Sequence, residues 1–494
     1  MVKKNIIANF LGSAWMGLMA LAFIPSYISL MGSEAFALIG LFIALANLLS
    51  ALDFGISPTL NRELAACSVN HAVEKMRNTL RTFEVVYFII ILLVIAGLVG
   101  ASSYVAESWL QNNQLSTKTV AQSLQLMAVV IALHLLTNFY SAGLAGLQYQ
   151  IQVNTVNAVM ATLRYAAIVP LMHTVSASPV FFFIWQLLIG LLHLLTIMLI
   201  IWRKIPASTH RPVFQKDIIH AVWKFSAGVS IISIMGLVLV QLDRIFLSHW
   251  LSLETFGYYS VASIIAMSIA PRIASPFFAA LYPRLTQYFK QGEEDKSIAL
   301  YHNGCFMLAL ILIPLSLFIA LYAQELLWLW TSDHKTVNNA ASTLTLLALG
   351  CLFHGMMYIP YALQLAHARI KIALYLNIIS LCIAVPLMLI LYTNHGANGV
   401  AFTWFILNAF STLIGVFMIH RHLLKGEYKK WLLYDNGPVF IIALLPAVAA
   451  RLLFYDISLI GLLLILCMMF FLPVVLISTS RSRLVKIFQG HFSL

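Results

Sequence analysis

Runs of about twenty apolar residues, nearly free of charge, recur along the whole of this chain, and helices of that kind belong in a lipid bilayer. Asp, Glu, Lys and Arg make up 9% of the 494 residues, against roughly 25% in an ordinary soluble domain. Twenty-nine basic and 17 acidic side chains cannot keep a globule of this size hydrated, which excludes a soluble enzyme. The fold class that follows is an all-α polytopic membrane protein. The hydropathy pattern predicts about fourteen transmembrane helices: Ile6 to Leu30, Ala35 to Leu60, Thr82 to Tyr104, Val120 to Leu144, Val153 to His173, Val180 to Trp202, Phe225 to Trp250, Phe256 to Leu281, Leu300 to Tyr322, Ala340 to Gln364, Ala373 to Tyr392, Gly396 to His420, Pro438 to Tyr455 and Leu459 to Thr479. The first span follows Lys3 and Lys4 and is longer than the roughly 7–15 apolar residues of a cleaved leader, so we read it as a retained signal-anchor.

Basic residues orient the spans. With the N-terminus inside, 23 of the 29 fall in cytoplasmic segments, and the outer loops hold only Lys118 and Lys335. This bias places both termini in the cytoplasm and accounts for the net charge of +12 without a nucleic-acid partner. The five cysteines (Cys67, Cys305, Cys351, Cys382 and Cys467) are scattered, with no CxxC pair and no disulfide framework.

A weak internal repeat relates the two halves. Glu34-Ala35-Phe36-Ala37 opens the second span and Glu254-Thr255-Phe256-Gly257 the eighth, while Arg62 and Arg284 follow those spans at their inner ends. An acidic residue favours a helix N-terminus. Six spans per copy gives two lobes of the same orientation, a parallel repeat known among transporters. The expected domains are an N-lobe at 1–205, a C-lobe at 206–420 and two additional C-terminal helices in 421–494. The connection Arg203 to Lys224 joins the lobes; its apolar residues from Val213 to Trp223, interleaved with Lys216, Asp217 and His220, predict an interfacial helix or a structured linker.

Charges inside the spans carry the functional argument. An ionised side chain at the bilayer centre costs about 2.5–3.5 kcal/mol on insertion scales and persists where it faces a cavity, a partner or a substrate. Arg164 lies midway along its span, Arg272 midway along another beside Pro271, Asp243 and Arg244 in the outer third of the seventh, Asp53 in the inner third of the second, and Arg451 and Asp456 near an outer end. All four embedded cations are Arg, and guanidinium keeps its charge when desolvated and grips phosphate with two parallel hydrogen bonds. An Arg-lined cavity suits an anionic, phosphate-bearing substrate. The structural alternatives are a fixed ion pair of Arg272 with Asp53 or Asp243, and a snorkelling Arg451 at the interface. Asp243 and Arg244 point about 100° apart on a helix, so one of them is expected to face the lumen. Asp53 is also a candidate proton or cation site. His134, Asn138, Gln186, His193, His354 and Asn377 read as helix-to-helix hydrogen-bonding residues, and ten prolines interrupt the spans, as kinked helices of alternating-access proteins tolerate. No GxxxxGK[ST] loop, HExxH cluster or soluble domain is evident, so neither ATP nor a metal is expected to drive the protein directly.

The run Asn5-Ile6-Ile7-Ala8-Asn9-Phe10-Leu11-Gly12, then Ala22-Phe23-Ile24-Pro25 and Met31-Gly32-Ser33-Glu34-Ala35-Phe36, resembles the polysaccharide-lipid flippases of the Wzx O-antigen translocase type. So does Leu52-Asp53-Phe54-Gly55-Ile56-Ser57-Pro58-Thr59-Leu60-Asn61-Arg62-Glu63, and Gln241-Leu242-Asp243-Arg244 with Phe256-Gly257-Tyr258-Tyr259 is similar to the corresponding stretch of a second lobe. The motifs cover about 100 residues; the remainder fits in topology. The resemblance implies a MATE-like fold of the MOP superfamily, with two six-helix lobes around a central cavity. It implies a flippase for undecaprenyl-diphosphate-linked oligosaccharide, an O-antigen repeat unit or similar, in the bacterial inner membrane, for lipopolysaccharide biosynthesis. Arg164, Arg272 and Arg244 would then be substrate-binding candidates, Arg451 would edge a groove for the polyprenyl tail formed by the two extra helices, and Asp53 and Asp243 would balance charge or bind the coupling ion. No cofactor is expected, the coupling ion being H+ or Na+. Membrane lipid is a partner, and association with the polysaccharide polymerase and chain-length machinery is expected. The rival readings are a multidrug or cation antiporter of the same fold and a membrane polymerase or ligase of the same pathway. The antiporter needs an acidic, aromatic-lined cavity. The polymerase needs a large outer domain, whereas the outer loops Val105 to Thr119 and Ala323 to Asn339 hold about 15–17 residues each.

Overall fold

Proline and glycine decide where the expected spans break. The computed structural model describes residues 2–69, 72–111, 114–208, 210–217, 236–367, 371–453 and 458–480; within them the chain is helical with no strands. Twelve helices among the described residues are long and apolar enough to cross a membrane. The fourteen predicted spans correspond to them with two differences. The eleventh and twelfth form one segment, Ile372–Leu423, with a non-helical residue at Gly396 (φ 56°, ψ −135°). Residues 225–235 of the expected seventh span lie outside the described residues, as do the part of the expected interfacial helix from Ile218 to Trp223 and Asp456.

Among the described residues, 2–260 form one compact unit and 261–480 another. In the first, α1 (Val2–Ala22), α2 (Ile24–Met31) and α3 (Ser33–Leu49) are followed by α4 (Ile56–Val69), α5 (Val73–Tyr104) and α6 (Thr117–Gly146). Then come α7 (Gln150–Tyr165), α8 (Ile168–Thr174), α9 (Pro179–Lys204) and the helix at 236–250, here α10. The expected continuous spans Ile6–Leu30, Ala35–Leu60 and Val153–His173 are each interrupted. Pro25, Pro58 and Pro170 stand within the first three residues of α2, α4 and α8. A proline ring excludes the hydrogen bond to the residue four back, and only the first helical turn can spare that bond. At the second interruption Phe54 and Gly55 take left-handed φ values of 46° and 72°, which no helix continues through, so the expected span stops before Gly55 and α4 starts anew at Ile56.

The second unit contains most of α11 (Leu253–Gln291), then α12 (Glu294–Leu321), α13 (Ala323–Thr331), α14 (His334–Met356) and α15 (Tyr358–Ala366). It ends with α16 (Lys371–Leu423), the short α17 (Tyr428–Lys430) running into a π-helical turn Trp431–Asn436, α18 (Gly437–Leu453) and α19 (Leu459–Ser480). Pro360 stands third in α15 and splits the expected span Ala340–Gln364. The expected outer loop Ala323–Asn339 is largely helix, since it contains α13 and the start of α14. Within α16 the chain doubles back at Gly396: a Cβ built on Gly399 would stand 2.0 Å from the carbonyl oxygen of Leu391. The two arms are therefore antiparallel helices joined by a tight turn.

Candidate anion-binding site

The site is built on the break between α7 and α8. At the break the amides shift partner: Val169 N donates to Ala166 O (3.2 Å) and Ala167 N to Thr162 O (3.3 Å). The carbonyls of Leu163 and Tyr165, which a continuous helix would have paired with these amides, are left over. A buried carbonyl needs a donor, and side chains supply them: Trp185 Nε1 donates to Leu163 O (3.0 Å) and Tyr27 Oη to Tyr165 O (2.6 Å). Gln186 Nε2 stands 3.4 Å from Arg164 O. Donors from α2 and α9 thus hold the broken end of α7 in place, and Arg164 sits in that end.

The Arg164 guanidinium points between α6 and α9. Its Nη1 donates to Nε2 of His134 on α6 (2.5 Å). Its Nε and Nη2 are buried with no hydrogen-bond partner, and no carboxylate among the described residues lies within ion-pair distance. The guanidinium lies beside Gly190 of α9, where a Cβ would stand 3.9 Å from Nη2, an ordinary contact. One turn along, His193 Nε2 meets Asn157 Oδ1 of α7 at 3.0 Å. Phe42 closes the other side of His134, with ring centroids 5.8 Å apart. A planar Nε–Nη2 edge with nothing on it is one half of a bidentate grip for a phosphate or carboxylate.

The other residues singled out in the sequence fall elsewhere. Asp53 ends the helix before the Phe54–Gly55 turn and caps α4: its carboxylate accepts from Ser57 N (3.1 Å), Ser57 Oγ (2.5 Å) and Tyr87 Oη (2.7 Å). Asp243 and Arg244 were expected to divide between lumen and wall, but both are buried, at 0% and 4% exposure. The Asp243 carboxylate accepts from Tyr259 Oη and from Arg244 N (2.8 Å), and Arg244 Nη1 reaches Gln241 Oε1 at 3.3 Å. Arg451 does not snorkel alone; it pairs with Glu325 of α13 and lies over the ring of Tyr322, 5.9 Å from its centroid. Arg272, beside Pro271 in α11, is exposed.

Two polar clusters escaped the sequence reading. Glu84, a buried residue of α5, binds Arg81 (3.1 Å), Tyr140 Oη (2.9 Å) and Trp202 Nε1 (2.9 Å). It stands within the first turn of the expected span Thr82 to Tyr104, which was the signal available. In the second unit, His302 of α12 lies between two carboxylates, with Nδ1 on Asp435 and Nε2 3.1 Å from Glu427 Oε2. Glu427 also binds Lys430 (2.7 Å). Burial pushes the Glu427 carboxyl up, but the Lys430 ammonium and His302 outweigh it and hold it below the usual carboxylate range. A cavity of about 790 Å³ opens beside Glu427, bordered also by Lys296, His367, His422 and Lys425.

A helical bundle with spans broken in this way belongs to a known class of transporter folds. The fold is that of a multidrug-resistance MATE transporter of the MOP superfamily in its inward-facing conformation (TM-score 0.68, 16% identity, covering 82% of this chain and 94% of that one). It is also that of the lipid II flippase MurJ in an inward closed conformation (TM-score 0.69, 12% identity, covering 97% of this chain and 99% of that one). Residues 229–390 match the MatE family. Residues 2–289 match the family described as polysaccharide biosynthesis protein, and the chain belongs to that family. A candidate O-antigen transporter of Shigella flexneri is 21% identical over 420 residues, covering 82% of this chain and 94% of the relative. The expected class, a multi-pass membrane protein of the MOP fold, is therefore established.

Proposed function

We propose that this protein is a flippase that carries an undecaprenyl-diphosphate-linked oligosaccharide from the cytoplasmic to the periplasmic leaflet of a bacterial inner membrane by alternating access, with both its termini cytoplasmic. The observation that carries the reading is the free Nε–Nη2 edge of Arg164. A cation buried at membrane depth without a carboxylate is costly, and its retention is explained by an anionic ligand that arrives and leaves. Family membership, the Shigella flexneri relative and the lipid II flippase fold support a substrate of diphosphate-linked lipid. In this reading Arg164 and Arg272 guide the diphosphate while the sugar crosses an aqueous passage and the polyprenyl tail stays in lipid. Asp243 balances the charge of Arg244, Asp53 has a capping role, and Arg451 edges the tail's path through its pairing with Glu325. A proton or Na+ supplies coupling, and the polymerase of the same pathway receives the product.

The test is a strain lacking this chain, complemented with Arg164→Ala. The deletion should accumulate lipid-diphosphate oligosaccharide on the inner leaflet, and Arg164→Ala should fail to restore export at normal protein level. Normal protein level is the informative part, because removing an unpaired buried charge should not destabilise the fold. Unchanged lipid intermediates together with drug sensitivity in the deletion strain would favour the cation antiporter instead.

A further inference from the structure

His134 and Arg164 form a pair whose chemistry goes beyond holding an anion. Arginine is a donor only, so the hydrogen bond from Arg164 Nη1 requires His134 Nε2 to carry a lone pair and the ring proton to sit on Nδ1. In that state the imidazole is neutral and occupies one end of the guanidinium. We infer that His134 is a proton-binding residue coupled to the Arg164 site: a proton on Nε2 and an anion on Arg164 bind together and each strengthens the other. The inference rests on the reading of Arg164 as the anion-binding residue.

The argument is geometric. A proton taken from water onto Nε2 removes the acceptor, so the Nη1 hydrogen bond breaks. Two cations then face each other within a buried space. Bidentate oxygens of a diphosphate relieve this, since they accept from the freed Nη1, from the unpartnered Nε and Nη2 and from the new Nε2–H. Without the anion the protonated pair repels itself; without the proton the guanidinium stays partly closed by the imidazole. The groups that face His134 are Arg164 on α7, His193 on α9 and the Phe42 ring on α3. His193 is already engaged by Asn157. The carboxylate of Glu84, on α5, is taken by Arg81, Tyr140 and Trp202. No carboxylate among the described residues therefore pairs with a charged His134, and a bound anion is the partner left for it. Linkage of this kind is reciprocal, so the proton tightens the anion by the same factor as the anion tightens the proton.

The experiment uses the full chain in detergent, with inorganic pyrophosphate as the probe, titrated calorimetrically at pH 8 and pH 6. Wild type is compared at each pH with His134→Gln, which keeps an acceptor for Arg164 but does not titrate; the ratio cancels the titration of pyrophosphate itself. His134→Asn serves as a second variant should the first fail to fold. The expected result is a ratio of affinities near one at pH 8 that rises in favour of wild type toward pH 6, by at most about tenfold per pH unit, the limit for one linked proton. A ratio that stays constant with pH, while Arg164→Gln abolishes binding, overturns the role of His134 and leaves the anion site standing. Binding of pyrophosphate that is absent from wild type, or unaffected by Arg164→Gln, overturns both.

Discussion

Single charges in this chain are legible in different degrees. Arg164 was visible because a guanidinium in an apolar run has few explanations. That no carboxylate among the described residues pairs with it, and that it meets His134 thirty residues away, depends on how α6, α7 and α9 pack. Asp53 was visible for the same reason, yet its role as a cap is written in the left-handed Phe54–Gly55 turn, which hydropathy does not register. Caps also carry a pH signature. Asp333 precedes α14 and accepts from Lys335 N (3.1 Å), Thr336 N (3.0 Å) and Thr336 Oγ1 (2.6 Å). Partial burial raises its carboxyl, but the hydrogen bonds from Thr336 and Lys335 and the Lys335 charge prevail and hold it below the ordinary value. A carboxyl lowered on folding stabilises above its unfolded value, and that contribution disappears as the pH falls through the lowered one. Asp333→Ala should cost about 1 kcal/mol, the usual worth of such a cap. The cost, read from thermal unfolding in detergent, should be present at pH 7 and shrink toward pH 3.

At the scale of elements, prolines announced the breaks but not what heals them. Pro25, Pro58, Pro170 and Pro360 each sit in the first turn of a new helix, so four interruptions could have been read from the sequence with the first-turn rule. The donors that satisfy the freed carbonyls come from far along the chain. Tyr27 serves Tyr165, 138 residues away, and Thr412 Oγ1 donates to Phe353 O (2.8 Å) beside the break at Met357. Tyr27→Phe should leave the Tyr165 carbonyl buried without a donor and destabilise the first unit by about 1–3 kcal/mol. Because that carbonyl adjoins Arg164, the same change should impair export. Full export with unaltered thermal stability would show that the hydroxyl is dispensable. Close packing sets a second constraint: a Cβ on Gly146 would stand 2.3 Å from the backbone oxygen of Asn61. Backbone cannot swing aside as a side chain can, so Gly146→Ala should force α4 and α6 apart and lower the unfolding temperature.

Across the molecule, the distribution of basic residues and the arrangement of the second unit agree on which loops share an end. Asn398 Oδ1 accepts from Ser342 Oγ (3.0 Å) and Thr343 Oγ1 (2.8 Å), which sets the turn of α16 beside the start of α14. Gly292, His367, Leu424 and Glu427 border one cavity, which gathers the connections 291–294 and 424–427 and the end of α15 at a single place. Lys296, Lys425 and Lys430 belong to that second group, whereas the first has Lys335. Basic residues are retained on the cytoplasmic side during insertion. Reporter fusions at residues 335 and 425 should therefore report opposite sides, with the fluorescent cytoplasmic reporter active at 425 and the alkaline phosphatase reporter active at 335. The His302–Glu427–Asp435 cluster ties the connection after α16 to the start of α12, and the same reporters would place it at the cytoplasmic end. If 335 and 425 scored on one side, the odd number of crossings between them would have to be replaced by an even one, the tight turn at Gly396 would no longer separate two spanning arms, and the direction proposed for substrate movement would lose its basis.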